Sequence, residues 1–161
     1  MKQFLSMIFL LVLAPCAFSQ NVLKENTWVL GASKKNIYFE QGIFRLSGSG
    51  DSSAPVVLQN IRTHYNKNTK QERIVIDLTG SSAISLYGSV LPAKKKITID
   101  LMQVAKSDNL PTATKGKFLQ SVDIYIIEPK LMTLELNFDA VYSFEIFYLL
   151  NPMRVVIDVK R

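Results

Sequence analysis

The residue types that carry most enzyme chemistry are nearly absent from this 161-residue chain, which has one histidine, His64, and one cysteine, Cys16. A Cys-ligated zinc site, a disulfide framework, a Cys/His nucleophile pair and an iron–sulfur cluster each need more of these residues. His64 has no His or Cys partner, so a surface or edge position within Ile61–Tyr65 is its expected role. No Gly-x-Ser-x-Gly, Ser-x-x-Lys or His-Glu-x-x-His occurs, and no Gly-rich phosphate loop precedes a helix. Three aspartates remain, Asp77, Asp100 and Asp158, each at the same place in a repeated segment. Carboxylate pairs can hydrolyse glycosides when held across a cleft. Each of these has basic neighbours on a strand, however, and cross-strand ion pairs with Arg73, Lys96 or Arg154 are the expected use. The reading is a non-catalytic protein with no metal and no cofactor.

Binding chemistry is better represented. Arginine recognises carboxylates through a planar fork, and tyrosine offers a flat ring with a polar tip. The candidates are Arg62, Tyr65, Arg73, Tyr87, Tyr125 and Arg154, with Phe147 and Tyr148 as further aromatics. Lysine clusters fall at turns: Lys67 to Arg73, Lys94 to Lys96, and Lys115 to Lys117. With 19 Lys and Arg against 13 Asp and Glu, the formal charge is +6. That excess favours encounter with anionic partners, and salt weakens it.

The elements that must position these side chains follow from alternation. Ile74, Ile76 and Leu78 share one face of Arg73–Leu78, leaving Arg73, Val75 and Asp77 on the other. Lys96–Leu101 and Arg154–Val159 repeat that register. Leu134, Leu136 and Phe138 alternate with Thr133, Glu135 and Asn137, while Tyr142, Phe144, Ile146 and Tyr148 alternate with Ser143, Glu145 and Phe147. Side chains on a strand point alternately to opposite faces, so each segment predicts one apolar and one wet face. No helical period appears after residue 55, and the separators are turn-like, among them Asn66–Lys70, Thr79–Ser82, Leu91–Lys96, Glu128–Lys130 and Asn151–Pro152. About seven or eight mostly antiparallel strands therefore occupy residues 56–161. Two sheets packed face to face, an all-β sandwich, are the economical solution. Residues 20–55 hold apolar pieces and end in the Gly/Ser-rich stretch Ser47–Pro55, which reads as a linker. They either add a strand or two to the main domain or form a loosely docked arm.

Residues 1–19 read as an export address. Lys2 supplies a positive start, and Phe4 to Leu13 is an apolar run of about ten residues, half of what a membrane span needs. Ala17 and Ser19 then place small residues where a signal peptidase cuts. A secretory signal helix that is removed leaves no cysteine and no transmembrane segment in the remaining chain. Cys16 offers a second route, lipidation as in bacterial lipoproteins, although Pro15 replaces the small residue expected before that cysteine.

Three segments, RIVIDL at 73–78, KITIDL at 96–101 and RVVIDV at 154–159, share a basic residue, a β-branched run, an Asp and an aliphatic. Together with Ile61-Arg62, the aromatic stretch Tyr142–Tyr148 and Pro152, in this order, they resemble the AMIN domain across residues 56–161. The resemblance implies a β-sandwich in a bacterial periplasmic protein, acting without chemistry as a targeting module associated with peptidoglycan. In that family such modules accompany N-acetylmuramoyl-L-alanine amidases or type IV pilus secretins, and this chain carries neither.

The expected function is thus a periplasmic module that binds peptidoglycan or a related anionic envelope polymer. One exposed sheet face would present Arg guanidinium groups to stem-peptide carboxylates and Tyr rings to sugar. Nucleic acid is not an expected partner, since no aromatic-rich RNA-binding motif accompanies the charge. The rival reading is a subunit of an envelope protein complex that pairs a sheet edge with a partner strand. Exposed and contiguous Trp28, Tyr38, Phe39 and Phe44 would favour it.

Overall fold

The computed structural model describes residues 26–29, 35–37, 42–47, 56–80, 84–105, 107, 109 and 115–161. Twelve strands run along them: β1 (Asn26–Val29), β2 (Lys35–Ile37), β3 (Gly42–Ser47), β4 (Val56–Asn66), β5 (Gln71–Thr79), β6 (Ser85–Leu91), β7 (Lys96–Met102), β8 (Val104–Ala105), β9 (Leu119–Glu128), β10 (Leu131–Phe138), β11 (Ser143–Leu150) and β12 (Met153–Lys160). They form two six-stranded sheets. Sheet A has the order β1-β3-β6-β7-β10-β9, and sheet B the order β2-β11-β12-β5-β4-β8. All pairings are antiparallel except β1 with β3 and β4 with β8. The chain is an all-β sandwich, as the alternation predicts. Residues 1–19, Cys16 among them, and residues 48–55 of the linker lie outside the described residues. So do Tyr38, Phe39 and the side chains of Trp28 and Phe44.

Nine strands, rather than seven or eight, begin at Val56 or later. The added one is the two-residue β8, too short to leave a period in the sequence. Residues 26–47 contribute a strand to sheet B and two to sheet A, so this part of the chain is built into both layers.

The core follows the predicted alternation. Ile74, Ile76 and Leu78 from β5 meet Ile97, Ile99 and Leu101 from β7 in one cluster. Leu134 and Leu136 from β10 and Val155, Ile157 and Val159 from β12 join it, each almost wholly buried. Burying such a side chain is worth roughly 1.5–3 kcal/mol, so the shared interior is what holds the layers together.

Two departures bear on function. In β4 the register slips between Leu58 and Asn60, so Gln59 and Asn60 both face solvent. Such a bulge flips the phase of everything after it. Ile61 therefore turns inward, while Arg62 and His64 turn outward. Asn60 Oδ1 steadies the bulge by accepting the Ile61 N–H at 2.9 Å. The second departure corrects the expectation of a wet outer face on sheet B. Val75, Phe147 and Val156 lie side by side there, buried to 3–7% exposure in a second apolar cluster with Leu149. Three adjacent apolar side chains shield one another, where one flanked by charges would have stayed open.

Antiparallel connection assigns each turn to an end of the sandwich. The β4–β5, β6–β7 and β10–β11 turns share one end with residues 115–118 and the close of β12. Beneath them sits an aromatic group. Phe118 stacks on Tyr142 with centroids 4.5 Å apart, and Tyr65 meets the Phe118 edge at 5.5 Å. The Tyr142 hydroxyl donates to Asp139 Oδ1 at 2.6 Å. Burial, reinforced by that hydrogen bond, pushes the Tyr142 phenol up to about 12. Unfolded tyrosine ionises near 10, so the fold favours the neutral form. Its contribution is whole below pH about 10 and is lost as pH rises toward about 12. Urea unfolding across that window should show stability falling more steeply in the native chain than in Tyr142→Phe. Equal slopes would remove Tyr142 as the cause.

Candidate functional site

Sheet A presents an outer face whose side chains can be read off the strand register. Across β3, β6, β7, β10 and β9, one row runs Arg45, Tyr87, Asp100, Thr133, Tyr125. The next row runs Ser89, Thr98, Glu135, Asp123, and a third Leu91, Lys96, Asn137, Ser121. Tyr87 is 39% exposed and Tyr125 48%. Three strand spacings separate them, about 14 Å along the row.

The floor between the rings is pre-oriented. Thr133 Oγ1 donates to Asp100 Oδ1 at 2.7 Å, and Asn137 Nδ2 donates to Asp123 Oδ2 at 2.8 Å and to Ser121 Oγ at 3.0 Å. Lys96 Nζ pairs with Glu135 Oε2, and that hydrogen bond raises the lysine above its usual range. Carboxylates Asp100, Asp123 and Glu135 face two cations, Lys96 and Arg45, so among the described residues of this basic protein the face carries no cationic excess. Its chemistry is that of acceptors and hydroxyls, with Asp100 and Thr133 between the two rings and the other two rows beside them.

The six candidate binding residues do not meet on one face. Tyr87 and Tyr125 belong to the row just described. Arg62, Arg73 and Arg154 lie on the outer face of sheet B, on the far side of the core. Tyr65 points inward after the β4 bulge and packs against the core and Phe118. Two of the arginines are already engaged. Arg62 Nε donates to Asp77 Oδ2 at 2.7 Å, and Arg73 grips Asp158 with two bonds of 2.6 and 2.7 Å. Those bonds raise both guanidinium groups above their ordinary value. Arg154 Nε donates to the Pro152 carbonyl at 3.3 Å.

The repeated aspartates divide likewise. Asp158 takes Arg73, as predicted, whereas Asp77 pairs with Arg62 of the neighbouring strand. Asp100 takes the Thr133 hydroxyl, leaving Lys96 to Glu135. Among the described residues, no three His, Cys, Asp or Glu side chains converge where a metal could bind. The residues missed by motif reading are Thr133, Asp123, Asn137 and Ser121. Period-two counting from Tyr125 and Thr133 places all four on the tyrosine face. The chain matches no protein-family model and no curated protein.

Proposed function

We propose that this protein is a non-catalytic docking module of the bacterial cell envelope, exported to the periplasm, whose sheet A face binds the glycan of peptidoglycan. One observation carries the reading: Tyr87 and Tyr125 stand exposed on one sheet face, with the hydrogen-bonded pair Thr133–Asp100 between them. A sugar ring has an apolar face for stacking and a rim of hydroxyls, and this arrangement offers partners for both. The charge of the face favours sugar over stem-peptide carboxylates, since the paired arginines lie on the other sheet. The resemblance of residues 56–161 to the AMIN domain points to the same ligand.

The test is co-sedimentation of the protein with purified cell-wall sacculi at low and high salt. Stacking and neutral hydrogen bonds are little screened, so pelleting is expected to survive high salt. Tyr87→Ala with Tyr125→Ala should weaken it at least about thirtyfold, each ring being worth about 1 kcal/mol beyond its area. No pelleting at either salt, or pelleting indifferent to both substitutions, would overturn the reading.

A second reading has its own support. β9 is a ten-residue strand at the edge of sheet A, and its consecutive Tyr125, Ile126 and Ile127 are 42–59% exposed. Such an edge suits strand addition by a protein partner in an envelope assembly. Cross-linking in intact cells from position 127, then identification of the captured species, separates a protein from a glycan.

A further inference from the structure

Lysine clusters far apart in the sequence converge on one end of the sandwich. Lys67 and Lys70 come from the β4–β5 turn, Lys94 and Lys95 from the β6–β7 turn, and Lys115 and Lys117 from the approach to β9. All six are exposed, and the exposed Arg161 follows the close of β12 at the same end. Among the described residues, Asp139 is the one exposed carboxylate side chain there, and it accepts the Tyr142 hydroxyl. Glu72, also at this end, is wholly buried. The opposite end carries Lys130 beside Glu128 in the β9–β10 turn.

We infer that this lysine-rich end rests on the surface of an anionic lipid bilayer. Turns from both sheets make up the end, so its charges spread over the width of two layers rather than along a groove. A planar array of negative headgroups can satisfy them together. Among the described residues, the aromatic side chains at this end, Tyr65, Phe118, Phe138 and Tyr142, pack in or against the core and offer no ring face to bases or sugars. Lysines bind phosphate as point charges without a fixed geometry, which suits an array of headgroups. Val141, 52% exposed, stands on the same end in the β10–β11 turn. Lys95 is tied to that turn by an Nζ bond of 3.0 Å to the Asp139 carbonyl. An apolar tip among cations is what an interfacial contact uses. This inference is independent of the tyrosine face: a module seated this way could still hold glycan on sheet A.

Vesicle co-sedimentation tests it, using the full chain and phosphatidylcholine vesicles with about one quarter phosphatidylglycerol. A lysine near such a surface is worth about fivefold in partitioning. Lys94→Glu should therefore lose at least fivefold, and Lys67→Glu with Lys94→Glu at least about twenty-five-fold. Lys130→Glu, with the same charge change at the other end, should lose less than twofold. Val141→Ser should lose about twofold on vesicles and nothing on soluble polyglutamate of equal charge. All these positions are exposed, and unchanged urea midpoints will show that the fold survives. Equal losses from Lys94→Glu and Lys130→Glu, no loss from either, or polyglutamate binding as tight as vesicle binding would each overturn the proposal. Because sacculi contain no bilayer, failure here leaves the glycan reading to its own test.

Discussion

Glu72→Ala is expected to lower stability by about 3–5 kcal/mol, among the largest losses available to a single substitution in this chain. The Glu72 side chain has no exposure to solvent. Its carboxylate accepts three backbone N–H groups from the segment entering β9: Lys117 at 2.7 Å, Phe118 at 2.6 Å and Leu119 at 3.0 Å. A hydrogen bond to a charged group is worth about 1.5–3 kcal/mol, and each buried donor left without an acceptor costs a further 1–3. Truncation strands donors on sheet A by removing a group from sheet B, so the two layers lose a tie as well as a side chain. Glu72→Gln should cost less, about 2 kcal/mol, because the amide keeps one accepting oxygen. Gly116→Ala should do damage by the same route. A Cβ there would lie 1.6 Å from Glu72 Oε1 and 2.6 Å from its Cδ. Carboxylates usually swing away cheaply, but this one is held by three bonds. The double variant Glu72→Ala with Gly116→Ala should then be no less stable than Glu72→Ala alone, since the clash and the lost bonds are one event. Additive losses in urea unfolding would show that Gly116 matters for another reason.

Glu72 also shows where sequence reading stops short. Period-two counting puts it on the face of Ile74, Ile76 and Leu78, a carboxylate aimed at the core. That conflict was legible; its resolution by the backbone of residues 117–119, some 45 residues on, was not. The strands themselves were legible because burial of one face forces alternation, and every core residue named from β5, β7 and β12 lies inside. The bulge in β4 was not, since no local pattern marks Gln59 as the extra residue, and it moved Tyr65 from a surface candidate into the core. β8 is too short to carry a period, and the apolar strip Val75–Val156–Phe147 depends on which strands become neighbours.

The same distinction separates the binding surfaces. Which tyrosines could share a face was open to parity arithmetic within one strand, but not across strands whose order was unknown. Tyr87 and Tyr125 lie on strands separated by two others, and only the order β6-β7-β10-β9 puts them in one row. For the lysines, the clusters and their turns were visible from composition. Their gathering at one end follows from reversal of direction at each turn: the turns closing β4 and β6 must share an end once β5 and β6 run antiparallel along the layers. Charge patterning of this kind becomes spatial as soon as strand direction is known, before any side chain is placed.

Arg73→Met is expected to cost about 3–5 kcal/mol, because it removes a partner from a buried carboxylate. Asp158 is wholly inaccessible to solvent, and Arg73 reaches it with paired bonds of 2.6 and 2.7 Å from the directly opposite position on β5. On the other flank Glu145 is opposite Asp158 in β11, and Lys160 Nζ reaches Glu145 Oε1 at 2.6 Å. Losing the guanidinium leaves two neighbouring carboxylates with less cationic compensation in a poorly solvated strip, beside the apolar Val156 and Val75. The exposed pair Arg62–Asp77 offers the contrast. With the arginine side chain 54% exposed, Arg62→Met should cost at most about 1 kcal/mol. If desolvation governs the Arg73 pair, Arg73→Met with Asp158→Leu should recover most of the loss, because two apolar groups need no counter-charge. A double-mutant cycle in urea unfolding reads this directly. A double variant less stable than Arg73→Met would mean that the ion pair itself, rather than avoidance of a deserted charge, holds the outer face of sheet B together.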